Sequence, residues 1–311
     1  MAAMGAPNRL AGTHRQAMAN DKQNRRWRPA PLLWLSLGLH GFALIVLIVQ
    51  PHLWRWVAGL IIGNHLLLCV AVLFPRASWL GPNITRLPEV NTKRNEIALT
   101  FDDGPDPEVT PRVLDLLERH KVKASFFCIG AKAAAFPELV REIVRRGHSV
   151  ENHSNRHPHT FSLYGLRRLA REVDSAQSCI TAIAGRAPRF FRAPAGFRSP
   201  LLDPILARRG LLYMSWSRRG FDAVVRDPAR VLRLLTRELG AGEIVLLHDG
   251  AGTRSEANEA LVLAVLPPLL EAIAARGLHP VSLDDAFSDP YPLACVRSPV
   301  HTAQCDDSVL P

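Results

Sequence analysis

The sequence predicts a parallel α/β domain that follows a two-helix membrane hairpin. Two long apolar runs without a formal charge lie near the N-terminus, and beyond about residue 95 short strand-like runs alternate with helical patterns. Polar residues suited to catalysis stand where several of those strands end. A chain of 311 residues with 48% hydrophobic content is long enough for one ordinary domain and such an additional segment.

The predicted hairpin consists of residues 31–49 and 57–74, each long enough to cross roughly 30 Å of hydrocarbon as a helix. The connector carries Trp54 and Trp56, whose rings suit a membrane interface, and Pro51, which interrupts the helix. A cleaved signal peptide for the first run and a buried soluble helix for the second are the alternatives.

Basic residues flank the hairpin and predict its orientation. Those before the first run are Arg9, Arg15, Lys22, Arg25, Arg26 and Arg28, and those after the second are Arg76, Arg86, Lys93 and Arg94. Only Arg55 lies between the runs. The positive-inside rule therefore places both ends of the hairpin, and the domain after it, on the cytoplasmic side of a bacterial-type inner membrane. An extracytoplasmic domain is the alternative.

The net charge of +10 is concentrated beside the hairpin, because residues 1–30 hold six basic residues against the single acid Asp21. Anionic membrane lipid would attract this segment. Zinc-finger spacing, RNA-binding signatures and basic heptad helices are absent from the sequence, which argues against a nucleic-acid partner. The five cysteines suggest no disulfide framework, although Cys295 and Cys305 could pair in an oxidising compartment.

The domain is predicted from the alternation of seven strands with six helices, typical of a parallel α/β sheet. The strands are predicted at residues 96–101, 124–129, 149–153, 190–193, 211–215, 243–248 and 279–283. The helices are predicted near residues 109–121, 137–147, 163–184, 200–209, 228–239 and 257–276. The predicted organisation is a basic segment 1–30, the hairpin 31–75, the domain 95–288 and a tail 289–311.

Reactive side chains follow four of these strands. Asp102 and Asp103 follow the first strand, His153 the third, Arg192 the fourth and His248 the sixth. In a parallel barrel the carboxyl ends of the strands meet at one face, where active sites lie. We therefore expect these residues to converge on one site.

The pair Asp102 and Asp103 is matched fifty residues later by His153 and His157. One carboxylate and two imidazoles can hold a divalent metal while the second carboxylate remains free as a base. Taken alone, the Asp-Asp-Gly-Pro segment also suits an ordinary strand-to-loop turn. The two histidines favour the metal site.

Four motifs carry a resemblance to a known family. They are Thr-Phe-Asp-Asp-Gly-Pro-Asp at 100–106, His-Ser-x-x-His-Pro at 153–158, Arg-x-Pro-x-Gly at 192–196 and Leu-Leu-His-Asp at 246–249. In this order they resemble a polysaccharide deacetylase with a NodB-like domain, of carbohydrate esterase family 4, over about residues 95–288. The resemblance implies a distorted, incomplete (β/α) barrel.

The resemblance also implies a chemistry, the hydrolysis of an N-acetyl group on a sugar by water that a divalent metal activates. Asp103, His153 and His157 would hold the ion, for which zinc is the default and cobalt or nickel would also suit the ligands. Asp102 would be the general base, and Arg192 would pair with it.

Further roles follow from the same resemblance. His248 would protonate the departing amine, and Leu246 would help to form the acetyl pocket. The backbone N–H of Ala195 would serve as the oxyanion donor.

One family motif is altered, because Asp222-Ala223 stands where the family usually has Asp-Trp. Asp222 is expected to keep the acidic role of bracing Arg192. Trp216 or Phe221 could replace the missing tryptophan as an apolar wall of the sugar groove, or the acceptor could differ from chitin and peptidoglycan. Among the remaining histidines, His159 is the one to test, since it directly follows the metal motif.

Three functional hypotheses follow. The first is a membrane-anchored, metal-dependent hydrolase of carbon-nitrogen bonds other than peptide bonds, removing an acyl group from an amino sugar in a polysaccharide or a lipid-linked glycan. The second is the same chemistry in an extracytoplasmic deacetylase of peptidoglycan or exopolysaccharide. The third is a catalytically inactive carbohydrate-binding module, which the presence of all the expected reactive groups disfavours.

Overall fold

The computed structural model describes residues 27–250, 252–253 and 259–288. Most of the predicted basic segment, the predicted tail and the proposed pairing of Cys295 with Cys305 lie outside the described residues. Within them, a helical hairpin precedes one α/β domain built on a single sheet.

The hairpin consists of helix α1 (Pro31–Val49), a 3-10 turn at Pro51–Leu53 and helix α2 (Trp54–Val72). By length and composition both segments could cross a membrane, with a mean hydropathy of 2.4 for the first and 1.7 for the second. Helix α2 begins three residues before the predicted bound of 57, because Pro51 begins a turn that continues into the helix.

Polar side chains of the hairpin pair with each other, as expected for two facing helices. Asn64 Nδ2 donates to Ser36 Oγ at 2.9 Å, and the rings of His40 and His65 meet edge to face with centroids 5.3 Å apart. Such pairing lowers the cost of polar groups in an apolar surrounding.

The sheet contains eight strands in the described residues, and every pairing in it is parallel. In chain order the strands are β1 (Glu96–Asp102), β2 (Ser125–Cys128), β3 (Ser149–Asn152), β4 (Phe190–Phe191), β5 (Leu212–Tyr213), β6 (Arg218–Arg219), β7 (Ile244–His248) and β8 (His279–Val281). Their order in space is β5-β4-β3-β2-β1-β7-β6, with β8 paired to the first half of β1. This is the predicted incomplete barrel.

The helices connect the strands. They are α3 (Glu89–Lys93), α4 (Thr110–Arg119), α5 (Gly130–Ala135), α6 (Pro137–Arg145), α7 (Leu166–Ala184), α8 (Asp203–Arg209), α9 (Pro228–Thr236), α10 (Leu261–Ala275) and α11 (Leu283–Ala286). Side chains of β1 and β7 alternate between two apolar clusters. Phe101 and Val245 join the helices in the larger cluster, whereas Phe127, Trp216 and Leu246 fill the concave side of the sheet.

All seven predicted strands are present, and the differences are local. Strand β6 was not predicted, because two residues carry no period. Residue Leu283 begins α11 instead of ending β8, since the Ser282 hydroxyl accepts from Asp285 N and caps that helix. The six-residue α5 was also missed, for it lacks an amphipathic pattern.

Candidate active site

The site is built around the turn that follows β1. Asp102 is the last residue of β1, and Asp103 is buried with a φ of 72°. The turn packs closely against the residues that follow β7. A Cβ on Gly250 would lie 1.9 Å from the Asp103 carbonyl oxygen, so no side chain fits there. Asp249 N donates to the Asp102 carbonyl at 3.1 Å. Glycine at 250 therefore permits the contact that holds both carboxylates in place.

Asp103, His153 and His157 form one cluster. Their possible ligand atoms all lie within 4.8 Å of one another. Asp103 Oδ1 is 3.3 Å from His153 Nε2 and 3.1 Å from His157 Nε2. The backbone of Ser154 and His157 has positive φ values of 64° and 50°, which folds the loop back so that both rings reach the carboxylate.

The second nitrogen of His153 is held from behind. His153 Nδ1 lies 2.9 Å from the carbonyl oxygen of Arg192, and because a carbonyl only accepts, Nδ1 carries the hydrogen. Nε2 is then the nitrogen that faces Asp103, and after loss of its proton it can bind an ion. Metal-binding histidines are usually oriented by such a bond from their other nitrogen.

The cluster fits a divalent cation. Asp103 Oδ1 is buried and has no hydrogen-bond partner among the described residues. Burial raises the pKa of Asp103, but the nearby imidazoles of His153 and His157 outweigh it and bring the pKa well below its usual range. Burial and the charge of His153 lower the pKa of His157 to about 4, so its ring is neutral at pH 7 and offers a lone pair. One carboxylate oxygen and two imidazole nitrogens suit zinc, cobalt or nickel.

Asp102 is held by Arg192, as predicted. Arg192 Nη1 donates to Asp102 Oδ1 at 2.6 Å and to Thr100 Oγ1 at 3.0 Å. Its other nitrogens donate to the carbonyl oxygens of Met214 at 3.3 Å and Ser215 at 2.9 Å, and the side chain is fully buried. The fork shape of guanidinium allows all these bonds at once.

Asp222 braces His248, which corrects the expectation that it would brace Arg192. Asp222 Oδ1 is 2.9 Å from His248 Nδ1, and Oδ2 accepts from His248 N at 2.8 Å. The loop after β6 reaches β7 because these strands are neighbours, whereas Arg192 is already satisfied by carbonyls of another loop. Burial lowers the pKa of His248, but the charge and hydrogen bond of Asp222 outweigh it and raise the pKa to about 9.

The predicted substrate residues divide into exposed and buried ones. Ala195 is exposed in a 3-10 turn with a φ of 54°, and within the described residues its amide donates to no protein acceptor. Leu246 is buried on the same side of β7 as His248. Trp216 is only 5% exposed beneath Gly196, so it is a core residue and not an open wall, whereas Phe221 is 44% exposed with Arg219 over its ring at 4.6 Å. Only Phe221 has the exposure that a groove wall requires.

The exposed His159 stands apart from the cluster. Its ring centroid is 6.4 Å from that of His157, with the two rings edge to face. Asp103, His153 and His157 therefore form the cluster without it.

Two groups at the site were not predicted. Asp249 Oδ2 accepts from Thr110 Oγ1 at 2.6 Å, and burial raises the pKa of Asp249 to about 7. Lys132 Nζ donates to the carbonyl of Asp103 at 2.7 Å. Asp249 belongs to the Leu-Leu-His-Asp motif, so its sequence position could have indicated a place in the site. Lys132 is a single lysine in a short helix, and no sequence pattern indicates its place there.

A half-barrel of parallel strands with a carboxylate-histidine cluster, an Asp-Arg pair and a His-Asp pair at its carboxyl edge defines a hydrolase of the (β/α) barrel class. The sequence profile of the family described as polysaccharide deacetylase matches residues 89–214. The chain belongs to this family, carbohydrate esterase family 4, and is an enzyme that hydrolyses carbon-nitrogen bonds other than peptide bonds.

Three comparisons describe this membership. The chain is 37% identical to a chitooligosaccharide deacetylase of Sinorhizobium fredii, over 61% of this chain and 91% of that protein. A solved peptidoglycan N-acetylglucosamine deacetylase is 26% identical with a TM-score of 0.60, over 66% of this chain and 92% of that one. A family 4 carbohydrate esterase from Streptomyces lividans, solved with acetate, is 31% identical with a TM-score of 0.54, over 60% and 91%.

Proposed function

We propose that the protein is a metal-dependent deacetylase that removes the acetyl group from an N-acetylated amino sugar of a polysaccharide or a lipid-linked glycan. The observation that carries this proposal is the position of the Asp102 carboxylate. It is bonded to Arg192 at 2.6 Å and lies 3.8 Å from His153, a member of the candidate metal cluster. A base beside a metal site is the arrangement that amide hydrolysis by water needs.

Asp103, His153 and His157 are the residues that would hold the ion, with His153 oriented by the Arg192 carbonyl. A divalent cation in this site supplies a Lewis acid and makes water a stronger nucleophile near pH 7. Zinc, cobalt and nickel are all compatible with the ligands, and zinc is the default.

Asp102 takes the proton from the attacking water, and Arg192 keeps the carboxylate in one orientation. General bases of this kind contribute about 10²- to 10⁴-fold to the rate. Because Arg192 also bonds Thr100 and two carbonyl oxygens, the position of the base depends on several strands at once.

Charge that develops on the acetamide oxygen is stabilised by the free N–H of Ala195. His248 then gives its proton to the departing amine, which cannot leave as an anion. The bond from His248 Nδ1 to Asp222 leaves Nε2 for this transfer. Leu246, buried beside His248 on β7, provides the apolar floor for the acetyl methyl group.

The relatives support an N-acetylglucosamine substrate. They are named chitooligosaccharide deacetylase and peptidoglycan-N-acetylglucosamine deacetylase. This chain has Ala223 at the position where the family usually has tryptophan. We propose that the exposed Phe221 forms the wall of the sugar groove instead.

The hairpin anchors the enzyme in the proposal. Its two helices are long and apolar enough to span, and few of their residues are buried by the protein. The basic flanks favour a cytoplasmic domain in a bacterial-type inner membrane, and an extracytoplasmic domain is the alternative. C-terminal fusions to one reporter active only in the periplasm and one active only in the cytoplasm decide the side; a periplasmic signal would overturn the cytoplasmic assignment.

The chemistry is tested by acetate release from N-acetylglucosamine oligomers, with bound metal measured on the same sample. Asp102→Asn should lower the rate about 10²- to 10⁴-fold while the metal content is retained. The exposed Asp115→Asn is the matched control and should behave as wild type. Bound metal with no hydrolysis of any N-acetylated glycan, and with glycan binding retained, would favour the inactive carbohydrate-binding module.

A further inference from the structure

The second helix of the hairpin ends beside the candidate active site. Pro75 follows the end of α2 by only three residues. A Cβ on Gly196, which has a φ of 77°, would lie 2.8 Å from Pro75 Cβ, so the two residues are in contact. Gly196 directly follows Ala195, the proposed oxyanion donor.

Hydrogen bonds secure this junction. Pro75 O accepts from Ser215 Oγ at 2.6 Å, and Arg76 Nη1 donates to the carbonyl of Ser217 at 3.3 Å. Ser215 also supplies a carbonyl oxygen to Arg192, the residue that holds the proposed base. The end of the hairpin is therefore joined to the loop that positions the catalytic pair.

The first helix of the hairpin begins at the same place. Trp27 lies four residues before α1, and its Nε1 donates to Asp203 Oδ2 at 2.7 Å. Asp203 Oδ1 accepts from Arg198 at 2.8 Å, and Arg198 donates to the carbonyl of Gly81 at 3.0 Å. Both ends of the hairpin thus contact the segment 194–203, which follows β4.

Five exposed apolar side chains, four aliphatic and one aromatic, lie in segments that follow strands ending at the candidate site. We call them the apolar rim, and they are Leu163, Leu166, Leu201, Phe221 and Val224. They follow the carboxyl ends of β3, β4 and β6, and the exposure of Leu163 reaches 78% and that of Val224 71%. Large apolar side chains exposed to this extent, in segments that follow residues of the candidate site, suit contact with an apolar partner.

Basic side chains accompany the apolar rim. Arg156, Arg167 and Arg226 are exposed and lie within a few residues of it in the chain. Aliphatic side chains with arginines beside them suit a membrane interface, where tails contact the first and phosphate groups the second. Sugar rings are instead bound by aromatic faces, and within the rim only Phe221 has one.

We propose that the active site opens onto the bilayer surface and takes an amphiphilic substrate, an N-acetylated amino sugar carried on a lipid whose tail stays in the membrane. This rests on the proposed function and names its substrate class. The apolar surface of the hairpin must lie in the bilayer if it spans, and its base contacts the segment beside Ala195. The apolar rim then lies at the membrane interface. A lipid-linked sugar can reach Asp102 while its lipid tail stays in the bilayer.

The test uses the full chain in nanodiscs of phosphatidylcholine and phosphatidylglycerol. Two substrates carry the same N-acetylglucosamine tetramer, one on a hexadecyl chain and one on a methyl group, and acetate release is measured for both. We expect kcat/KM to be at least tenfold higher for the hexadecyl substrate. Equal values for the two substrates would overturn the proposal whatever any variant does.

A variant locates the effect. The double variant Leu163→Gln and Val224→Gln should lose most of the preference for the hexadecyl substrate. Its kcat/KM for the methyl substrate should equal that of the wild type. Leu234→Gln, at an exposed leucine of α9 outside the rim, is the matched control and should keep the preference. If the rim variant lowers kcat/KM equally for both substrates, the rim does not have the proposed role.

Failure of the proposed function gives a different result. If the enzyme is not a deacetylase, neither tetramer releases acetate and Asp102→Asn changes nothing. If only the membrane inference is wrong, both tetramers are hydrolysed, at equal rates.

Discussion

The Asp222 carboxylate contacts both the side chain and the backbone of His248, the final residue of β7. One carboxylate oxygen is 2.9 Å from His248 Nδ1, and the other accepts from the backbone N–H of His248 at 2.8 Å. This relationship fixes the ring in one orientation, with Nδ1 towards Asp222. It also separates the site into two pairs, since Arg192 serves Asp102 and Asp222 serves His248.

The first prediction concerns the alkaline limit of activity. The charge of Asp222 holds the pKa of His248 at about 9, against the lowering effect of burial. A general acid must be protonated, so activity is lost as pH rises through this pKa. Asp222→Asn removes the charge, and the alkaline limb of the kcat profile should move to lower pH by at least about one unit. Asp227→Asn, an exposed helix cap, is the control; an unmoved limb in Asp222→Asn would exclude His248 as the acid.

The second prediction concerns the metal. His157→Ala should lower the bound metal, measured by elemental analysis after dialysis, by at least about tenfold, because one of three protein ligands is lost. His159→Ala is the matched control, since His159 is an exposed histidine two residues away whose ring stands 6.4 Å from that of His157. Equal metal loss in both variants would mean that the cluster does not bind the ion.

The third prediction concerns the shape of the cation at Arg192. Arg192→Lys keeps the charge but cannot reach Asp102, Thr100 and two carbonyl oxygens together. Buried acceptors left unpaired cost about 1–3 kcal/mol each. We expect a lower melting temperature and a lower kcat. Wild-type kcat in the lysine variant would show that the orientation of Asp102 does not depend on the fork.

The fourth prediction separates the two aromatic residues near the altered motif. Phe221→Ala should raise KM by roughly 3- to 10-fold with little change in melting temperature, because an exposed ring contributes about 0.5–1.5 kcal/mol to stacking. Trp216→Ala should instead destabilise the protein by about 3–5 kcal/mol, since it empties a core position. The reverse pattern would make Trp216 the groove wall.

The fifth prediction concerns Glu151, fully buried behind the site. Burial raises its pKa to about 7, against the hydrogen bonds from the backbone of Arg189 and Phe190. The folded state therefore holds a proton that the unfolded chain releases near pH 4.5, and stability falls as pH rises from about 4.5 to about 7. The full effect is about 3 kcal/mol.

Glu151→Gln removes this dependence. Thermal unfolding in detergent micelles at pH 5 and pH 8 should show a smaller fall for the variant than for the wild type. Any cost of the amide that does not depend on pH cancels in this comparison. An identical fall in both proteins would contradict the raised pKa.

Much of the fold was readable from residue order, because local patterns carry it. The uncharged run at residues 31–49 became α1 with the same bounds, and every predicted strand is present. The elements that were not predicted are short: β6 has two residues, α11 has four, α3 has five and α5 has six, too few to show a period.

The reactive groups could be named from their motifs, but their partners could not. Residue spacing indicated that Asp102, Asp103, His153 and His157 belong to one site, since strand ends meet at one edge of a parallel sheet. The expectation that Asp222 would brace Arg192 was wrong, because strand order in space decides which loop lies beside which strand, and β6 lies beside β7.

Sequence by itself therefore determined the chemistry available to this protein: an apolar hairpin, and a set of carboxylates, imidazoles and one guanidinium at strand ends. Only the tertiary structure decided how that set is divided, that Trp216 is core and Phe221 is surface, and that Pro75 and Trp27 bring the hairpin to the active-site edge. The reason is physical. Residue type and period are local properties, whereas pairing, burial and proximity arise from contacts between segments far apart in the chain, such as the hydrogen bond from His279 N to the carbonyl oxygen of Asn95.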